Sequence, residues 1–342
     1  MGEVDLYEKA FKILIDLSQR ESLSKREEET RNYLRKYLER LGYRVEEGEY
    51  YLFVQGKSDL LVATHIDTIP QRRPLDIRDN IIYGTGVCDA KASITAILLT
   101  AEKGIEYSFA FFCDEEEDGL GSREFVRKHR EPRQVIIMEP TELKIASYHW
   151  GSFELYLEVI GKEAHGAYPQ RGLNAIDQAF KLYKLLKELG LNFNPLKITG
   201  GSDLYVIPER CELKLEVFLR PGERIRDYME KLEVLHRWAR CRIEHAYEGY
   251  ISKEVHKILE EALQRCGLNV EYGEMRSWTD ALNLKEIADV VVWGPGELEL
   301  CHTREEKVYI TEILYASKVL EYLNFLVTKK IKGGDSLWSR NK

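Results

Sequence analysis

A chain of 342 residues is too long for one small core and points to two domains. With 44% apolar and 32% charged residues it reads as a soluble globular protein, and a formal net charge of −8 argues against the basic face that nucleic-acid binding requires. No apolar run reaches the roughly 18 residues that span a bilayer, and Met1 to Asp5 lack the basic and apolar regions of a signal peptide. No membrane partner and a cytoplasmic location are therefore expected.

Residues 5–20 read as a helix with Leu6, Ala10, Phe11, Ile13, Leu14 and Leu17 on one side. A second helix is expected from Ser24 to Leu41, after the polar turn Ser22-Leu23-Ser24, with Gly42 as its C-cap. Short strands follow at Tyr43 to Val45 and Tyr50 to Val54. Leu60 to Ala63 is a buried strand ending at His65, with Asp67 two residues on and Pro70 as a stop. Asn80 to Tyr83 leads into a tight glycine turn, Gly84 to Asp89, and a helix from Lys91 to Glu102. Ser108 to Cys113 is an apolar strand ending in the acidic run Asp114 to Asp118, followed by a helix from Ser122 to His129. Val135 to Met138 ends at Glu139-Pro140-Thr141. Val290 to Trp293 is followed by Gly294-Pro295-Gly296 and then by Cys301-His302-Thr303.

Apolar strands alternating with helices predict an α/β fold whose mostly parallel sheet is flanked by helices. Functional groups in such sheets gather outside the carboxyl ends of the strands. Residues 153–249 have a different rhythm, β-α-β-β-α-β, which predicts an inserted ferredoxin-like α+β domain. The expected division is 1–152 and 250–330 for the first domain, 153–249 for the insert and 331–342 for a flexible tail. The last helix, Thr311 to Lys329, is expected to pack back on the first domain. Cys88, Cys113, Cys211, Cys241, Cys266 and Cys301 have no paired short spacing, so they read as free thiols rather than a disulfide framework or a zinc ribbon.

His65, Asp89, Glu116, Glu139 and His302 all fall at loop starts after apolar strands or in the glycine turn. Two imidazoles and three carboxylates suit a pair of zinc-like ions with one carboxylate bridging. Asp89 is the candidate bridge, because Gly84 and Gly86 let its turn approach closely. Asp67 is placed to orient His65. Glu115 adjoins a ligand without being one. A carboxylate there could take a proton from water and pass it to a leaving amine. Acids gathering at solvated strand ends would account for any one of these residues, but not for the set.

The same residues resemble the motifs of the di-zinc amidohydrolase family of carboxypeptidase G, acetylornithine deacetylase, succinyl-diaminopimelate desuccinylase and the aminoacylases. The likeness runs from about residue 8 to about residue 325. His65-Ile66-Asp67 stands at the family's His-x-Asp. Gly84-Thr85-Gly86-Val87-Cys88-Asp89-Ala90-Lys91 stands at its Gly-x-Gly-x-x-Asp-x-Lys. Asp114-Glu115-Glu116 with Gly121-Ser122, Glu139-Pro140-Thr141 and His302-Thr303 complete the set. The resemblance implies a zinc-exopeptidase-like fold whose insert is a lid and dimerisation domain. It implies two divalent ions, zinc or alternatively cobalt. His65 and Glu139 would hold one ion, Glu116 and His302 the other, with Asp89 shared. Asp67 would steer His65, and Glu115 would be the general base and acid.

Gly161 to Ala167, with Pro169, Gly172, Asn174 and Ala175, resembles the family's lid motif. His165 would then stabilise the oxyanion, from the partner subunit in dimeric members. Arg220 would clamp the substrate's α-carboxylate. Ser277 to Ala281 resembles the substrate loop, so Thr279 and Asp280 are expected to contact the amino-acid part. Tyr205, Phe218, Ala92 and Trp150 depart from the family's usual residues without touching the metal set. The implied activity is deacylation of an N-acyl amino acid of the acetylornithine or acetyl-lysine type. Related enzymes release lysine or ornithine from a small acidic carrier protein in amino-acid biosynthesis. A dipeptidase, a carboxypeptidase or a desuccinylase on the same centre is the alternative, and a metal-free binding protein on this fold is a third. A homodimer is implied by the lid resemblance.

Overall fold

Four apolar strands form the parallel centre of a sheet in the computed structural model, which describes residues 3–333. In spatial order they are Ser108–Phe112, Leu60–His65, Gln134–Ile137 and Asp289–Val292. Tyr51–Val54 pairs antiparallel on the outside of the first and Ile145–His149 antiparallel beside the last. The Leu60, Ser108 and Gln134 strands are buried at every position. Helices cover them on both faces, which is why these segments read as continuous apolar runs rather than as alternating ones.

The helices around this sheet are Glu3–Ser18, Glu28–Arg40, Ser93–Ala101, Leu120–Lys128, Val255–Arg265 and Ile310–Gly333. Every residue of Ser93–Ala101 is buried, so it is a core helix rather than an amphipathic one. Among the described residues no helix is long and apolar enough to cross a membrane.

By contact the chain divides into two units. One comprises Met1–Tyr148, Ser252–Met275 and Thr279–Lys342, and carries the parallel sheet. The other comprises His149–Ile251 with Arg276–Trp278. In the second unit an antiparallel sheet runs in the order Phe193–Gly200, Arg210–Leu219, Gly151–Ile160, Ala239–Tyr247. Helix Ala175–Glu188 is capped by Asn174, whose Oδ1 accepts the Ile176 N–H at 2.9 Å. Along Gly151–Ile160, Phe153, Leu155, Leu157 and Val159 alternate into a core shared with Ala179, Leu182 and Leu186.

Several boundaries differ from the sequence reading for local reasons. The second helix begins at Glu28 rather than Ser24. Residues 22–26 are instead pinned to the loop after the His65 strand, with Thr68 N–H donating to Ser22 O at 2.8 Å and Lys25 at φ 65°. In the second unit the helix Ile225–Leu232 is followed by a tighter turn, Glu233–Arg237. The helix Val255–Arg265 buries Val255, Ile258, Leu259 and Ala262, a spacing that puts them on one face. A small sheet of Asp76–Arg78, Ile81–Tyr83 and Lys307–Tyr309 joins two distant segments that carry no shared motif. The last helix reaches Gly333, so the expected tail begins later than residue 331 and its remainder lies outside the described residues.

Ile136 sits fully buried between Val62 and Val291 on neighbouring strands. Ile136→Ala should therefore cost about 2–5 kcal/mol, read as a lower midpoint in urea unfolding. Ile198→Ala, at a site 53% exposed, should move stability by less than about 0.5 kcal/mol.

Candidate metal centre

The four parallel strands end on the same side of the sheet, and the chemistry collects there. His65 is the last residue of its strand and is 1% exposed. The ladder continues past the strand ends, with Ile66 N–H donating to Phe112 O at 2.9 Å and Met138 N–H to Ala63 O at 2.7 Å. That brings the loops bearing Asp114-Glu115-Glu116 and Glu139 alongside His65. Gly294, after the fourth strand, passes so close to Glu139 that a Cβ there would lie 2.7 Å from the Glu139 carbonyl oxygen. Asp89 comes from the wide turn Val87–Ala92 that opens helix Ser93–Ala101. Gly86, at φ 77°, begins that turn, and a Cβ on it would meet Thr68 Cγ2 at 2.3 Å.

The Asp89 carboxylate lies between two groups. Its Oδ1 is 3.0 Å from His65 Nε2, which is itself 3.6 Å from Glu139 Oε2. Its Oδ2 is 3.4 Å from His302 Nε2, which is 3.0 Å from Glu116 Oε1. His65, Asp89 and Glu139 thus form one cluster of potential ligand atoms, and Asp89, Glu116 and His302 a second. Glu115, 7% exposed, groups with His65 and Glu116. Asp67 is fully buried below them. Its Oδ1 accepts the Glu115 N–H and its Oδ2 the Glu116 N–H, both at 3.0 Å, while Ser24 Oγ donates to Oδ2 at 2.8 Å. Asp67 Oδ1 is also 3.4 Å from His65 Nδ1. It therefore braces the acidic loop and lies beside the imidazole.

Electrostatics shows what this arrangement lacks. Burial pushes the Glu139 carboxyl up to about 8, with His65 only partly offsetting it and Asp89 and Asp280 adding repulsion. Burial likewise raises Glu115 well above the usual carboxylate range, against His65 and with Glu139, Glu116 and Asp280. Glu116 is raised by burial too. Burial opposes the charged His65 ring, yet Glu139 and Glu115 overcome it and raise its pKa. His302, bonded to Asp89 and Glu116, is held up to about 10. Burial opposes the Asp89 carboxylate as well, but His302 and His65 outweigh it and hold the group below its ordinary range. Among the described residues, buried Glu139 Oε1 has no hydrogen-bond partner. A crowd of buried acids with an orphaned oxygen fits cations, because buried charges are tolerated when paired or bound to metal. His and carboxylate are the donors that zinc takes.

The other expected residues lie as follows. Thr279 is buried, and its Oγ1 accepts the Ala281 N–H at 3.2 Å. Asp280 is fully buried and bonded to Ser122 Oγ, to which Asn283 Nδ2 donates at 2.8 Å. Burial pushes Asp280 up to about 7. His165 is exposed on the second unit, with Nδ1 accepting the Ala167 N–H at 3.2 Å and the Tyr205 ring edge-on at 5.5 Å. Tyr205, one of the departures from the family's usual residues, thus packs on His165. Arg220, also exposed, and Arg276 place their guanidinium groups 5.9 and 5.1 Å from the Trp150 ring, another departure.

Two supporting acids escaped sequence reasoning. Glu27 Oε1 accepts the Asp114 N–H at 2.9 Å and the Lys25 N–H at 3.0 Å, holding the start of the acidic loop. Glu306 bonds the turn that carries Asp89. The Asp114 N–H lies 87 residues from Glu27, and the Cys88 and Asp89 N–H groups lie 218 and 217 residues from Glu306, so no local motif marks these contacts.

The family model described as Peptidase family M20/M25/M40 matches residues 61–324. The chain is 25% identical over 328 residues to a LysW-lysine/LysW-ornithine hydrolase of Saccharolobus solfataricus, covering 91% of this chain and 94% of that protein. A tripeptidase from Staphylococcus aureus has the same fold with TM-score 0.81 at 20% identity, over 94% of this chain and 99% of the other. So does a dinuclear metal-binding peptidase of the M20 family from Bacillus subtilis, with TM-score 0.73 at 15% identity, over 96% and 99%.

The raised groups make the metal-free protein pH-sensitive. Glu139 titrates near 4.5 when unfolded and about 8 when folded. Across that span the folded chain binds more protons, so stability falls as pH rises. The raised histidines act in the same direction, since their ion pairs are lost as the rings deprotonate. The metal-free Tm should be lower at pH 8 than at pH 5. Metal binding displaces these protons, so the gap in Tm between metal-loaded and metal-free protein should widen over the same range. A metal-free Tm that climbs with pH would refute the repulsion argument.

Proposed function

The chain belongs to peptidase family M20/M25/M40 and is a metal-dependent hydrolase, and we propose that it cleaves the amide joining lysine or ornithine to an acyl group. The acyl group is taken to be the end of a small carrier protein, as the name of the Saccharolobus relative indicates for that enzyme. The place of such a reaction is lysine or arginine biosynthesis, in the cytoplasm. The observation that carries the reading is the Asp89 carboxylate, with one oxygen toward His65 and Glu139 and the other toward Glu116 and His302.

On this reading His65 and Glu139 hold one divalent ion, Glu116 and His302 the other, and Asp89 both; zinc is favoured by the donor set, with cobalt as the alternative. Two such ions, when bound, polarise the scissile carbonyl and lower the pKa of water. The Glu115 carboxylate takes the proton of the attacking water and gives it to the departing amine nitrogen. Its main chain is fixed by Asp67, so the carboxylate stays beside the ligands without being one of them. The resemblance supports the remaining roles. His165 would donate to the oxyanion, Arg220 would pair with the amino acid's α-carboxylate, and Thr279 and Asp280 would shape the amino-acid side. The unit His149–Ile251 would serve as a lid, and the active form would be a homodimer.

Glu115→Gln should lower kcat by about 10²–10⁴-fold with parental metal content. Unchanged turnover at normal metal content would exclude the mechanism. Carrier-linked lysine and ornithine, N-acetyl-lysine and N-acetyl-ornithine should be hydrolysed faster than simple dipeptides or N-succinyl-diaminopimelate. Cleavage of dipeptides alone would overturn the deacylase reading. His165→Ala should cost about 10²–10³-fold in kcat, and parental turnover would remove its role.

A further inference from the structure

Glu306 follows His302 by four residues, is 1% exposed, and stands immediately before the strand Lys307–Tyr309. It grips the glycine turn at both ends. Its main-chain oxygen accepts the Gly84 N–H at 3.2 Å. Its side-chain Oε1 accepts the Cys88 N–H at 3.2 Å and the Asp89 N–H at 3.4 Å. Strand pairing holds Glu306 at this place: Lys307, Val308 and Tyr309 pair with Tyr83, Ile82 and Ile81, the residues that lead into the turn.

The turn needs such a partner. Asp89, at φ −110° and ψ 95°, and Ala90, at φ −121° and ψ 32°, are not helical, so the peptide groups before them gain no partner from a regular helix. Cys88 and Asp89 are buried at 0% and 7% exposure, which bars water from taking those N–H groups. A carboxyl oxygen has lone pairs enough to meet two such donors at once.

We propose that Glu306 is a positioning residue of the metal centre: its carboxylate fixes the main chain at Cys88 and Asp89 and so the direction in which Asp89 offers one oxygen toward His65 and the other toward His302. The proposal rests on the reading of Asp89 as the shared ligand. Because Glu306 belongs to the same loop as His302, it also couples the bridge to one of the end ligands. A shift of the turn would change both Asp89 distances together, whereas the loss of an ordinary core residue would loosen the whole unit without preference for these atoms.

The test compares Glu306→Leu, which keeps most of the volume and removes the acceptor, with Glu306→Gln, which keeps one acceptor oxygen. Zinc and cobalt affinities are measured on the full chain by competition with a chelator. Amide hydrogen exchange is followed in the metal-free protein. Glu306→Leu should weaken metal binding by about 10–100-fold and speed exchange selectively at Cys88 and Asp89. Glu306→Gln should recover most of both. Parental affinity and exchange in Glu306→Leu would overturn the proposal, as would equal losses in both variants with exchange raised throughout the unit. Should Glu306→Leu not fold, the metal-free parent and Glu306→Gln decide: slow exchange at Cys88 and Asp89 in both supports the clamp, and loop-like exchange in the parent refutes it. None of these readouts uses a substrate, so the wrong acyl group leaves them standing. A parent that binds no metal would instead bring down the dinuclear reading itself.

Discussion

One carboxylate set between two imidazoles is the constraint on which this protein's architecture turns. Asp89 lies 3.0 Å from His65 Nε2 through one oxygen and 3.4 Å from His302 Nε2 through the other. Around it crowd Glu115 and Glu139, both buried, and Glu116, half-buried, while His302 closes the group from an exposed position. In low dielectric, like charges repel more strongly than at the surface. The fold must therefore hold the acids together against their own repulsion until cations arrive. A parallel sheet suits this task, because its strands release their loops on one side while their bodies stay locked by ladders and covered on both faces.

Beside the two imidazoles, much of the restraint comes from layers of main-chain hydrogen bonds. Asp67 receives the N–H groups of Glu115 and Glu116 as well as the Ser24 hydroxyl. Glu27 receives those of Lys25 and Asp114. Glu306 receives those of Cys88 and Asp89. Each is an acid that pulls on an acid-bearing loop by its backbone. This explains why the segment between the first two helices is not helical: residues 22–27 are spent on bracing the site.

The sequence is most legible where one physical signal is local. Leu60 to His65 and Ser108 to Phe112 read as buried strands because their runs are almost wholly apolar, and the candidate ligands follow because strand ends carry the polar groups. The glycine turn is legible because Gly86 needs φ 77° and room beside Thr68. The expectation of an α/β fold with a mostly parallel sheet holds in the structure. What escapes is contact at a distance. Glu306 and Glu27 look like any surface glutamate in the sequence, because burial, not composition, makes them special. The small sheet joining Ile81–Tyr83 to Lys307–Tyr309 escapes for the same reason.

The order of the chain imposes a schedule on synthesis. The strand Asp289–Val292 pairs with Gln134–Ile137 and stands beside Ile145–His149, although the whole second unit is translated between them. On the ribosome the emerging sheet carries an open edge after its third parallel strand, while the intervening unit, nearly continuous in sequence, is free to fold first. His302 emerges later still. The candidate ligand set is thus incomplete until His302 has been made, and the edge left waiting is where a chaperone would be most useful.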